Sequence, residues 1–127
     1  MTTFEIKARF EVSLERVFNA WLDSDEHSAM TGGAAVCTAL SDEEFSAWDG
    51  YISGKNLKIV PHTYIKQSWR TTEFDENDAS SIVEIRLKKV GAGCEVTLKH
   101  KDIPDGQPDY NQGWQDHYLI PMEEYFG

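Results

Sequence analysis

The segment that most constrains the fold is Trp48-Asp49-Gly50-Tyr51-Ile52-Ser53-Gly54, with Leu57, Ile59, Pro61, Ile65 and Ser68-Trp69-Arg70 downstream of it. Two glycines four residues apart in β-prone sequence each mark a turn, a bulge or a close backbone approach rather than an ordinary strand position. Pro61 then punctuates a second turn. The spacing predicts two tight β-hairpins in succession and carries no catalytic group. Within it the apolar parity slips, because Ile52 and Gly54 share one face while Leu57 and Ile59 fall on the other. A bulge near Lys55-Asn56 would bring all four to one side and bend the sheet.

The flanking sequence repeats the strand period. Phe4, Ile6, Ala8, Phe10 and Val12 alternate with Glu5, Lys7, Arg9 and Glu11. Cys94, Val96, Leu98 and His100 alternate with Glu95, Thr97, Lys99 and Lys101 in the same way, so both segments predict strands with one buried and one wet face. Ser13 caps a predicted helix in which Leu14, Val17, Phe18, Trp21 and Leu22 form one apolar stripe. A short second helix is predicted from Asp25 to Ala29, capped by Ser24 or Asp25 and ended by Thr31-Gly32-Gly33.

From Ala34 to Lys101, turn signals near residues 41–43, 49–50, 61–62, 75–78 and 91–93 predict an antiparallel meander of about six strands. Beyond a turn-rich loop, Trp114, Tyr118, Pro121 or Met122, and Tyr125 recur at helical spacing. Pro121 lacks an N–H and crowds the carbonyl of His117, which predicts a kink or a break in this last helix. The order is strand, two helices, about six strands and a helix. It specifies an α+β fold in which one curved antiparallel sheet wraps its apolar face around the C-terminal helix.

Length sets the expectation of one domain over residues 1–127, since a chain of this size buries roughly two-thirds of its unfolded surface. Lys and Arg number 12 against 22 Asp and Glu, a net charge of −10, so nucleic acid and anionic membranes are repelled. No apolar run approaches the ~20 residues of a membrane span, and the N-terminus lacks the pattern of a secretory signal. Cys37 and Cys94 sit in strand-like surroundings and read as small buried hydrophobes of a reducing compartment. The expectation is a cytoplasmic monomer.

These segments together resemble a known family. Trp48-Asp49-Gly50-Tyr51-Ile52-Ser53-Gly54, the Pro61 turn, Ile65 with Ser68-Trp69-Arg70, and the strand reaching His100 before Ile103-Pro104 appear in the family's order. So do Gly113-Trp114, Tyr118, Leu119, Pro121 and Tyr125-Phe126 at the end of the chain. The family is that of activator of heat-shock protein 90 ATPase homologues, within the START-like (SRPBCC) helix-grip superfamily. The resemblance implies a β-α-α-β6-α helix-grip fold and, by the family name, a chaperone partner and a part in the stress response. Relatives often carry a Val/Ile-Gly-Gly-x-Phe turn into the third strand, where this chain has Ser41-Asp42-Glu43-Glu44 before Phe45. The eukaryotic co-chaperone that resembles this domain has a further N-terminal domain with an Asn-rich activating motif, for which 127 residues leave no room.

The catalytic inventory is short. His27, His62, His100 and His117 include no pair at a spacing that sets two imidazoles on one helix or strand face, so no metal site is expected. His100 and His117 could meet across the sheet–helix space, although a satisfied polar edge to the core is the simpler reading. No nucleophile elbow or phosphate loop is present, and Asp49 and Asp116 are the only acids singled out for burial. No catalytic residue and no cofactor are assigned. What remains is a concave sheet gripping an aromatic helix, an arrangement that leaves room for a small hydrophobic molecule. Its expected lining is Trp21, Phe45, Ile52, Trp69, Ile85, Leu98, Trp114 and Tyr118, with Pro121 letting the helix shift as a lid. The alternatives are a protein–protein module that binds a heat-shock protein 90-type chaperone through its acidic surface, and a polyketide cyclase- or aromatase-like enzyme. The latter would need a buried acid or base in the cavity.

Overall fold

The alternating first segment forms β1 (Thr2–Phe10), in a computed structural model that describes all residues from Met1 to Gly127. Ser13 caps α1 (Leu14–Leu22) by accepting a hydrogen bond from the Arg16 N–H at 3.2 Å, and Val17, Phe18, Trp21 and Leu22 turn inward. The second helix, α2 (Ser24–Thr31), starts one residue earlier than expected. Its cap is Asp23, whose carboxylate accepts from the Glu26 N–H, and Gly32 ends it in the left-handed conformation at φ 88°.

Five strands follow: β2 (Glu44–Ala47), β3 (Ile52–Val60), β4 (Tyr64–Thr71), β5 (Ser81–Val90) and β6 (Gly93–Ile103). With β1 they make one antiparallel sheet in the order β1-β6-β5-β4-β3-β2. The sheet thus has one strand fewer after the helices than expected. The missing one is reduced to a single bridge between Val36 and Ser46; elsewhere residues 34–43 combine a few backbone bonds to the sheet with bonds to the side chains of Ser24, Ser28 and Asn56. Asn56, fully buried, donates to the carbonyls of Thr38 and Leu40 and accepts from Gln67. Leaving such a buried amide unpaired would cost about 1–3 kcal/mol, which is what holds this loop against the sheet.

The two hairpins and the bulge in the central segment are present. The register of β3 on β4 shifts between Asn56 and Lys58. The residue displaced is Leu57, which points outward and is exposed, while Asn56 takes the inward place. Gly54 faces inward between Phe45 and Trp69. A Cβ there would lie 1.8 Å from the Ser68 carbonyl oxygen, so only glycine admits this close approach.

The chain closes with α3 (Tyr110–Trp114), a π-helical turn (Gln115–Leu119) and α4 (Ile120–Phe126). The irregularity expected at Pro121, a kink or a break, takes the form of a π-helical turn. The turn before the proline widens, with the Ile120 N–H reaching back to the Gln115 carbonyl, and helical conformation continues on both sides. Met122, fully buried, and Phe126, edge-on to Phe10 at 5.7 Å, seat the far end of the helix on the core. No helix is long and apolar enough to cross a membrane.

Candidate functional site

Two buried histidines tie the closing helix to the rest of the molecule. The Ser81 hydroxyl donates its proton to the Trp69 carbonyl at 2.7 Å, so at 2.8 Å it must accept from His100 Nε2–H. His100 Nδ1 is then the acceptor for Trp114 Nε1–H at 3.0 Å. This fixes one neutral tautomer, and burial pushes the imidazole pKa down to about 3. His27 uses the opposite tautomer. Its Nδ1 donates to the Trp21 carbonyl at 2.8 Å and its Nε2 accepts from the Tyr118 hydroxyl at 2.9 Å. Burial lowers the His27 pKa and raises that of Tyr118.

A cavity lies beside this latched region. About 620 Å³ in volume, it opens between the turn joining β2 to β3, the end of β4 and the first half of the closing helix. Its walls are the rings of Trp48, Tyr51, Trp69, Tyr110, Trp114 and Tyr118, with Ile52 and Pro108. Asp109, Gln112, Asp116 and His117 form its polar edge, and Gly113 leaves one side clear. The volume falls within the ~300–1,000 Å³ of small-molecule sites.

Local sequence explains how the mouth is built. Trp48 and Asp49 take left-handed backbone angles, φ 52° and 57°, ahead of Gly50 at 89°. This conformation costs a non-glycine residue about 1 kcal/mol, and it turns the Trp48 indole back over the cavity. On one side His117 packs edge-on to that indole at 5.5 Å. On the other lies Gly33, where a Cβ would sit 2.5 Å from the Trp48 ring.

Of the eight residues expected to line a cavity, Ile52, Trp69, Trp114 and Tyr118 come together on its wall. Trp21, Phe45, Ile85 and Leu98 are packed into the continuous core instead. The cavity is confined to the first half of the closing helix, and these four side chains lie in the core away from its wall. His100 and His117 do not meet, since His100 is locked between Ser81 and Trp114 while His117 is exposed at the mouth. Asp49 and Asp116, singled out for burial, are both exposed. The buried acid is Glu84, which bonds Tyr64, Arg86 and Lys101 and is no part of the cavity wall.

Sequence reasoning did not place Trp48, Tyr51, Asp109, Tyr110 or Gly113 in the lining, nor their neighbours Pro108 and Gln112. Tyr110 was within reach, because it precedes Trp114 by the same four residues that separate Trp114 from Tyr118. Extending the stripe one turn upstream would have found it.

A protein-family model described as Activator of Hsp90 ATPase homolog 1-like protein matches residues 11–127. The chain belongs to this family. Its human relative, "Activator of 90 kDa heat shock protein ATPase homolog 1", is 26% identical over 123 residues, which is 96% of this chain and 36% of the relative. The chain thus spans about a third of the length of the curated relatives it matches. Among solved structures, an HSP90 activator from Plasmodium falciparum superposes with a TM-score of 0.90 at 24% identity, covering 98% of this chain and 96% of that one. The Aha1 dimer from Colwellia psychrerythraea gives 0.82 at 14% identity, covering 99% and 96%. At these identities the two structures share the helix-grip fold with this member of the Hsp90 ATPase activator family.

Proposed function

We propose that this chain is a non-enzymatic binding module that holds a small, largely apolar molecule in the cavity beneath the first half of its closing helix. The observation that supports this most is Gly113. A glycine inside a helix costs about 1 kcal/mol relative to alanine. Yet nothing lies within 4 Å of the place a Cβ would occupy at Gly113, and the residue borders the cavity. Packing does not call for glycine there; keeping the space open does. The aromatic walls supply apolar area, and the π-helical turn bearing Asp116, His117 and Tyr118 gives the helix a point at which to shift as a lid. The free thiols Cys37 and Cys94 suit a reducing, cytoplasmic setting, and the module acts as a monomer in this reading.

The test is native mass spectrometry of the freshly purified protein beside its Gly113→Phe variant, whose ring would occupy the mouth. A retained small molecule in the first and none in the second supports the proposal. Equal retention in both places the molecule elsewhere and rejects it.

A second reading follows from family membership and from the name of the human relative. Here the module docks on a heat-shock protein 90-type chaperone, using a surface set by 22 acidic against 12 basic residues. Adding the domain to such a chaperone and following ATP hydrolysis tests it, and no change in rate at saturating concentration rejects it.

A further inference from the structure

The cavity wall has an electrostatic character that its apolar area does not reveal. Most of its aromatic side chains have their polar tips committed to protein partners. The Tyr51 hydroxyl donates to Glu73 at 3.1 Å, that of Tyr110 to Gln107 at 2.8 Å and that of Tyr118 to His27 at 2.9 Å, while Trp114 Nε1–H donates to His100 at 3.0 Å. With those tips engaged, these residues offer the cavity aromatic carbon and few donors. At the edge, Asp109 Oδ1 accepts from the Gln112 N–H at 3.1 Å and Asp116 Oδ1 from the Gln112 side chain at 2.9 Å. Neither carboxylate forms an ion pair. No lysine or arginine lines the cavity, and His117 is its one basic side chain. Glu73, bonded to Tyr51, adds a third carboxylate beside the mouth.

From this we infer that the ligand of the cavity is an organic cation: a flat or compact apolar body bearing a positively charged nitrogen directed at the Asp109–Asp116 edge. Aromatic rings attract such a group where it is desolvated, and the two carboxylates attract it where it meets water. An anionic ligand of the same shape meets repulsion from both, in a protein of net charge −10. The inference rests on the cavity being a binding site and specifies what enters it.

Three tricyclic probes separate the two claims: 10-methylacridinium, a cation; acridine at alkaline pH, uncharged; and acridine-9-carboxylate, an anion. Binding is followed by quenching of tryptophan fluorescence, Trp48, Trp69 and Trp114 being in the walls. The cation is expected to bind about tenfold more tightly than acridine, with the anion weakest. Added salt should weaken the cation alone. The Asp109→Asn, Asp116→Asn double variant should lower the cation's advantage to about threefold, the share left to the aromatic rings. Asparagine still caps α3 at position 109, so the fold is retained. Equal or tighter binding of acridine overturns the cationic inference and leaves the cavity reading standing. Binding of no probe, or binding that Gly113→Phe leaves unchanged, removes both.

Discussion

The two ends of the closing helix do different things with the same kinds of residue. At the α4 end Met122 is completely buried and Phe126 meets Phe10, so helix and sheet are in direct contact. At the α3 end, Tyr110 and Trp114 pack on Trp69 from one side and leave a cavity on the other. Both ends are apolar. The difference is that Gly113 and the left-handed Trp48 turn hold the second end open, whereas the Pro121 turn brings a large side chain down at the first. An aromatic count therefore does not distinguish wall from core.

The largest effect is expected at the sealed end. Met122→Ala removes a fully buried side chain and should lower stability by about 2–5 kcal/mol in urea unfolding. A loss under about 1 kcal/mol would mean that this end is as loose as the other.

Between the ends, the histidine latches make stability depend on acid. A folded pKa of about 3 for His100 lies below the ~6.5 of an unfolded histidine, so the unfolded chain binds the proton first. The stabilisation is complete above about pH 6.5 and declines as pH falls towards 3, by ~1.4 kcal/mol per unit. Unfolding free energies from urea titrations at about pH 7 and about pH 5 should differ by about 2 kcal/mol from His100 alone, and His27 adds a change of the same sign. A flat profile would show that the latches do not carry the helix.

The smallest effect is expected at the open end. Gly113→Ala has empty space for its methyl group and should raise stability by about 0.5–1 kcal/mol, observed as a higher melting temperature. A destabilised Gly113→Ala would place a neighbour where the structure has none.

Much of the architecture was legible in local pattern. Strict alternation in Phe4–Phe10 and Cys94–His100, the Ser13 cap, and the glycines and proline of the 48–61 segment each have one inexpensive structural solution. The parity slip at Leu57 implied a bulge, but parity does not say whether Asn56 or Leu57 turns inward. That choice depended on carbonyls of Thr38 and Leu40 arriving from a distant loop. Half of the expected lining was likewise misplaced into the cavity. Trp21, Phe45, Ile85 and Leu98 are as apolar as the true wall, and only their place in the tertiary packing separates the two groups.

By itself, the sequence determined a curved sheet gripping an aromatic helix, because strand period, caps and turn residues act over a few neighbours and are written locally. The tertiary structure alone decided which end of that helix borders a cavity, which proton each buried histidine keeps, and that the cavity is lined with rings and edged with carboxylates. Those properties depend on groups far apart in the chain, such as His27 with Tyr118 and Ser81 with His100, whose meeting no local pattern encodes.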